Sequence, residues 1–357
     1  MKHQFLSAAL LLSLCGFSQQ NVNDLKLKDY RPVSIYKTPT ADIKKAKYPV
    51  YDMHTHDYAK DKAGVDEWVK TMDQANIAKS MILSYSTGKA FDSVVDKYSQ
   101  HKDRFIIFCG FDYTGADQPG WDKKAVAELE RCYKMGARGV GELGDKGLGE
   151  LYSNPTPGYG MHIDDPRMKP LIKRCGELNI PINIHVAEDA WMYLPPDSTN
   201  DGLINASKWT VDMTKQGILD HDQLVKTLEN AVRDNPKTTF IASHLANTNS
   251  DLSQLGKLFD KYPNLYADIS ARYGEFSPIP KYSHAFFEKY ANRLVYGTDM
   301  TPTKSMYLIT FRILESGDEH FYEFDQFNYH WPLYGLELTD ATLKKIYNNN
   351  PVNILKR

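Results

Sequence analysis

Residues 49–85 read PVYDMHTHDYAKDKAGVDEWVKTMDQANIAKSMILSY. A run rich in β-branched and aromatic side chains at 49–54 gives way to a stretch from Asp66 to Gln74 with one apolar stripe and charged faces. A second apolar run follows at 79–85. Strands repeat every two residues and helices every 3.6, so this reads as strand, helix, strand. Working outward, the alternation predicts eight strands, at 49–54, 79–85, 104–110, 138–142, 181–186, 238–244, 264–269 and 293–298. Helical patterns between them include Ala125 to Met135, Met168 to Leu178, Gln223 to Arg233 and Leu252 to Tyr262. Eight such units in one domain imply an α/β protein, a parallel sheet closed into a (β/α)8 TIM barrel with the helices outside. A doubly wound open sheet is the alternative. No GxGxxG follows the first strand, and the glycines of Gly139-Val140-Gly141-Glu142-Leu143-Gly144 come only after the fourth, which weakens a dinucleotide-binding reading. Two connections, 187 to about 220 and 300 to about 337, exceed the usual spacing and predict long inserted loops after strands 5 and 8. They carry Trp191, Tyr193 and Trp209, then Phe321, Tyr322, Phe324, Phe327, Tyr329 and Trp331, which either line a pocket or pack the loops down.

With 42% hydrophobic and 25% charged residues among 357, the chain can bury a large core, and disorder is excluded. Lys and Arg number 43 against 45 Asp and Glu, so no overall positive field exists to gather nucleic acid or anionic lipid. Lys2 and His3 precede an apolar run from Phe5 to Leu14, with small residues at the −3 and −1 positions of a cut after Ser18. Residues 1–18 therefore read as a signal peptide, and the protein as periplasmic or secreted. The run is about half the ~20 residues that span a bilayer, so no membrane association is expected after cleavage. Lipidation at Cys15 is the weaker reading, because bulky Leu14 precedes it. Residues 19–48 read as an N-terminal arm and 49–357 as the barrel domain. Cys109, Cys132 and Cys175 form no CxxC pattern and read as buried thiols.

Four of the eleven histidines fall where predicted strands end. His54 and His56 form an HxH at the first, His185 ends the fifth and His244 the sixth. Positions i and i+2 of a strand share a face, so His54 and His56 can reach one metal. The carboxylates Glu142 and Asp299 end the fourth and eighth strands on the same rim. Imidazoles and acids gathered at the mouth of an apolar barrel are costly unless a divalent cation pairs them. Such a cation acidifies bound water to about pKa 7, so no nucleophilic serine is required; consistently, the chain contains no GxSxG elbow.

Asp52-Met53-His54-Thr55-His56, Gly141-Glu142-Leu143-Gly144, Ile184-His185-Val186, Ser243-His244-Leu245 and Gly297-Thr298-Asp299 resemble the metal motifs of the amidohydrolase superfamily, in particular its amidohydrolase-related branch. Asp165-Pro166-Arg167-Met168-Lys169-Pro170 and the terminal Asn350-Pro351-Val352-Asn353-Ile354-Leu355 support the resemblance, which covers roughly residues 45 to 357. It implies a distorted barrel holding one or two divalent metals, zinc first, with manganese and iron as alternatives. If Glu142 is a ligand, the resemblance implies one metal on His54, His56 and Asp299, a second on His185 and His244, and Glu142 bridging them. If it is not, His244 becomes a general acid/base beside a single metal. Asp299 would also take the proton of the attacking water.

Asp268 is placed to orient a ligand imidazole and Arg272 to meet an anionic group of the substrate, or else to form a rim salt bridge. His162 reads either as pocket-facing or as an exposed loop residue. These readings describe a metal-dependent hydrolase acting on an ester-like bond (lactone, carboxyl ester, amide or phosphoester) of a small molecule. The alternatives are a mononuclear decarboxylase of an aromatic or unsaturated acid, with Arg272 on the carboxylate, and a non-catalytic binding barrel. The sequence leaves homo-oligomerisation open.

Overall fold

The computed structural model describes residues 21–327 and 329–356; the expected signal peptide and Cys15 lie outside them. Eight parallel strands appear in order: β1 Val50–Thr55, β2 Ile77–Leu83, β3 Phe105–Phe108, β4 Val140–Asp145, β5 Ile182–Val186, β6 Phe240–Ala242, β7 Leu265–Asp268 and β8 Leu294–Val295. They form a three-stranded sheet, β1-β2-β3, and a five-stranded sheet, β4-β5-β6-β7-β8. A few hydrogen bonds at each seam stitch the two together. Between β3 and β4, Cys109 N donates to Gly139 O at 3.0 Å and Gly141 N to Cys109 O at 2.9 Å. Between β8 and β1, Met53 N donates to Tyr296 O at 2.9 Å and Asp299 N to His54 O at 2.8 Å. The result is a (β/α)8 barrel distorted at two seams.

Helices follow the strands as the apolar stripes require. Lys62–Ala75 begins at Asp61, whose side chain caps Gly64 N, and buries Val65, Trp68, Met72 and Ala75. His221–Asp234 begins with a capping box between Asp220 and Gln223. The sequence places one long loop from 300 to about 337, but the structure fills its first part with the helix Lys304–Glu315. That helix buries Met306, Tyr307, Ile309, Thr310, Phe311, Ile313 and Leu314. A helix apolar on most sides carries little amphipathic period, so it does not announce itself. The inserted segment proper is 316–339. Residues 21–48 have two short 3-10 turns and otherwise no regular structure, and they meet that segment, with Ala41 N bonded to Asp318 and Ser34 to His320. Cys109, Cys132 and Cys175 are free and buried.

Alternation along the strands divides the core in two. Outward residues such as Ile82, Ile184 and Ala242 pack with the helices. Met53, Met81, Leu83, Phe108, Ile241, Tyr266 and Val295 form a separate cluster with Ile354 of the last helix. These come from both sheets, which can meet only across the barrel interior. They fill its lower part, and the polar side chains of β5–β7 are left above them. Replacing Phe108 with Ala is expected to lower the unfolding free energy by about 3–5 kcal/mol, measured by denaturant titration. A loss under about 1 kcal/mol would mean that the ring does not fill the interior.

Candidate metal centre

The six side chains singled out from the sequence come together at the C-terminal mouth of the barrel. Glu142 Oε1 lies 3.5 Å from His54 Nε2, 3.3 Å from His185 Nδ1 and 3.4 Å from His244 Nε2. Its other oxygen, Oε2, lies 3.6 Å from His56 Nε2. Asp299 closes the far side, with Oδ1 3.1 Å from His56 Nε2 and Oδ2 3.8 Å from His244 Nε2. Three overlapping triads could each hold an ion: His54, His56 and Glu142; His54, His244 and Asp299; and Glu142, His185 and His244.

Several of these residues arrive differently from the strand-end picture. Glu142 sits inside β4, which runs on to Asp145, where the register with β5 shifts between Val140 and Leu143. Gly141 beside it has φ 151°, and a Cβ there would lie 2.8 Å from the side chain of Asn183. His244 lies past the end of β6, in a left-handed turn whose φ values are 58°, 55°, 54° and 54° from His244 to Asn247. Left-handed backbone costs about 1–2 kcal/mol per non-glycine residue and persists only where the surroundings enforce it. Here Asp268 Oδ1 receives His244 N at 3.0 Å, and the Asn247 amide donates to Val186 O and Ala187 O at 3.0 and 3.2 Å. Asp299 lies four residues beyond β8, also left-handed at φ 51°.

Buried groups behind the mouth aim the imidazoles. Asp268, fully buried, accepts His54 Nδ1 at 2.9 Å, which turns Nε2 toward Glu142. His56 Nδ1 is bonded to Leu83 O at 3.0 Å, His244 Nδ1 to Ser270 O at 2.9 Å, and His185 Nε2 to Ala187 O at 2.8 Å. In each case one ring nitrogen is tied back and the other faces the centre. Asp52 accepts Thr298 N at 3.0 Å and Thr298 Oγ1 at 2.8 Å, pinning the chain that leads to Asp299. Tyr58 donates to Asp299 Oδ1 at 3.3 Å.

The electrostatics fit a cation. Burial lowers His54 and His185, yet neighbouring carboxylates outweigh it and raise them to about 10 and about 9. Burial works to raise Glu142, but His54, His185 and His244 hold it well below the carboxylate range. The acids thus draw positive charge into the mouth, and a divalent ion supplies it while leaving the imidazoles neutral. His54 Nε2 and Glu142 Oε1 are buried without a hydrogen-bond partner. A tetrahedral ion with ligands at ~2.1 Å sets its ligand atoms ~3.4 Å apart. The triad Glu142, His185 and His244 fits that edge, with spacings of 3.3 and 3.4 Å around Glu142 Oε1.

Beside the centre, His56, Tyr85, Glu142 and Tyr152 line a cavity of about 330 Å³. Tyr152 also borders a groove of about 310 Å³ with Lys146, Glu188 and Trp209. Sequence reasoning missed Tyr58, Tyr152, Lys146 and Glu188, which lie on loops without periodicity, and Tyr85, which lies two residues past the observed end of β2 although the predicted strand ran to it. Arg272 is buried, its guanidinium bonded to Asn247 Oδ1 at 2.9 and 2.6 Å and paired with Asp189 at 3.1 Å. His162 is bonded to Asp145 at 2.7 Å and lines none of these cavities.

A family model described as amidohydrolase matches residues 42–357. No curated protein matches the chain. Among solved structures, an uncharacterised TIM-barrel protein from Bordetella bronchiseptica superposes with TM-score 0.55 at 14% identity, covering 86% of this chain and 98% of that one. A 2,6-dihydroxybenzoate decarboxylase from Rhizobium gives 0.52 at 16%, covering 87% and 99%. A dihydroxybenzoic acid decarboxylase from Polaromonas, solved with bound manganese, gives 0.53 at 15%, covering 87% and 97%. At such identities the likeness is one of fold. Replacing Asp268 with Ala should weaken metal binding about 10- to 100-fold in a chelator competition. Undiminished affinity would show that His54 does not depend on Asp268 for its orientation.

Proposed function

This chain belongs to the amidohydrolase family of metal-dependent enzymes, and we propose that it hydrolyses an ester-like bond (lactone, carboxyl ester, amide or phosphoester) of a small molecule. The observation that carries the proposal is Glu142, a single carboxylate facing four imidazoles with its two oxygens divided between them. In that arrangement His54, His56 and Asp299 would hold one divalent ion and His185 and His244 a second, with Glu142 within reach of both sets. Imidazole and carboxylate donors suit zinc first, with manganese and iron as alternatives. When bound, the ions supply Lewis acidity and a water acidified enough to attack at neutral pH.

The chain's own groups supply the remainder. Burial works to raise Asp299, but His54 and His56 keep it below the usual carboxylate range, so it is ionised and placed to take a proton from the attacking water. Tyr58 fixes the orientation of that carboxylate through Oδ1. The cavity between Tyr85 and Tyr152, about 330 Å³, has room for a small molecule against the centre.

Decarboxylation is the second reading, in line with the description of two of the similar structures. It asks Arg272 to hold a carboxylate, and that guanidinium is already committed to Asn247 and Asp189. Hydrolysis is preferred on this ground. We further propose that the enzyme is exported, since the first 18 residues read as a cleavable leader.

The reconstituted enzyme should carry about two equivalents of divalent metal per chain and should hydrolyse a member of an ester, lactone, amide and phosphoester panel. Chelation should abolish that turnover. Glu142→Ala should reduce the metal content to about one equivalent and kcat/KM by ~10²-fold or more. Full loading and turnover in the variant, or CO2 release from an aromatic acid with a single metal, would sink the proposal.

A further inference from the structure

A second cavity, of about 450 Å³, lies where the segments after β5, β6 and β7 meet the inserted segment 316–339. Asp189, Trp191, Asn249, Glu275, Ile279 and Trp331 line it. Its polar atoms are unbalanced. Asn249 Oδ1 and Glu275 Oε2 are buried acceptors without a hydrogen-bond donor, Asp189 Oδ2 has its ion pair with Arg272 and no hydrogen bond besides, and Trp191 Nε1 is a buried donor of the lining left unpaired. Asp189 and Asn249 are themselves nearly inaccessible, at 2% and 3% exposed. The neighbouring interactions account for the other atoms. Asn249 Nδ2 donates to Asp189 Oδ1 at 2.7 Å, the Tyr329 hydroxyl donates to Glu275 Oε1, and Trp331 Nε1 donates to Gly274 O at 2.9 Å.

Charge is unbalanced in the same direction. Asp189 and Glu275 share one guanidinium, that of Arg272, whose Nε lies 3.1 Å from Asp189 Oδ2. Burial, and then Asp189, pushes Glu275 up to about 8 against the opposing pull of Arg272 and Tyr329. Two carboxylates with one cation between them retain a proton when nothing else neutralises the second. The walls are apolar and aromatic: the Trp331 ring, stacked on Tyr329 at 4.2 Å, and Trp191 and Ile279.

We propose that this cavity binds a primary ammonium carried on an apolar body, with the ammonium at Asp189, Asn249 and Glu275 and the body against Trp191, Trp331 and Ile279. An ammonium has three donors, no acceptor and one positive charge. It therefore answers the unpaired oxygens of Asn249 and Glu275 and the second carboxylate together, and the indole faces add cation–π attraction. The inference does not rest on the hydrolase reading. Arg272 and Asn247 lie between the cavity and the metal centre, in the bonded sequence His185, Ala187 O, Asn247, Arg272 and Asp189.

Titration calorimetry of the full metal-loaded chain with 2-phenylethylamine, 2-phenylethanol and phenylacetate tests it. The amine should bind at least about tenfold more tightly than the alcohol, and the acid should not bind. Glu275→Gln keeps the side chain's shape and should weaken the amine at least about tenfold, with melting temperature and metal content unchanged. Ile279→Arg, at the exposed edge of the cavity, should weaken it comparably without touching the buried carboxylates. Equal binding of amine and alcohol, no binding of the amine, or amine binding that both variants leave intact would each overturn the assignment.

Discussion

One buried carboxylate organises the mouth of this barrel. Asp268 is fully inaccessible, and a carboxylate in that position is costly unless donors surround it. Oδ2 receives the His54 ring and the Asn183 amide, and Oδ1 receives His244 N, Ser270 N and the Ser270 hydroxyl. Burial works to raise it, but His54 and its other donors hold it well below the usual carboxylate range. Because those donors come from β1, β5 and the turns after β6 and β7, satisfying one charge brings four parts of the chain into register. His54 and the His244 turn are positioned as a consequence.

The barrel interior is layered by the same logic. Apolar side chains from six strands and Ile354 fill the lower part, where no donor is required. Asn183, Ser243 and Asp268 form a polar layer above, each bonded to another member, with Ser243 Oγ donating to Asn183 Oδ1 at 3.0 Å. The candidate ligands occupy the top. A layer that is fully paired can be rigid, and rigidity is what a metal site demands of its outer shell. The close approach of Gly297 to His54, where a Cβ would lie 2.8 Å from the histidine Cβ, shows how little room is left for adjustment.

The two cavities express opposite solutions to buried charge. At the metal centre, two carboxylates face four imidazoles, and a cation resolves them as ligands. In the second cavity two carboxylates face one guanidinium, and the residual demand is for a single positive charge with N–H donors. Arg272 belongs to both accounts. It neutralises Asp189 on one side, and through Asn247 it supports the left-handed turn that carries His244 on the other.

Alternation of period two and period 3.6 made the eight strands and most helices legible, and the residue types at strand ends marked His54, His56, Glu142, His185, His244 and Asp299 as a group. Those are local properties, set by which side chains fit a pleated or helical backbone. Other features have no local signal. The helix Lys304–Glu315 is apolar on most sides and shows little amphipathic stripe, and the eighth strand shrinks to Leu294–Val295 because its partner bonds are sparse at the seam. Tyr58, Tyr152, Lys146 and Glu188 sit on loops where spacing says nothing about direction. What the sequence by itself determined was the order of elements and the chemistry available at their ends. Only the tertiary structure decided that Glu142 faces every imidazole, that Arg272 turns inward to Asn247 and Asp189, and that Glu275 and Asp189 meet across a second cavity. These are contacts between residues distant in the chain, set by packing and by the need to pair buried charge, and no local pattern encodes them.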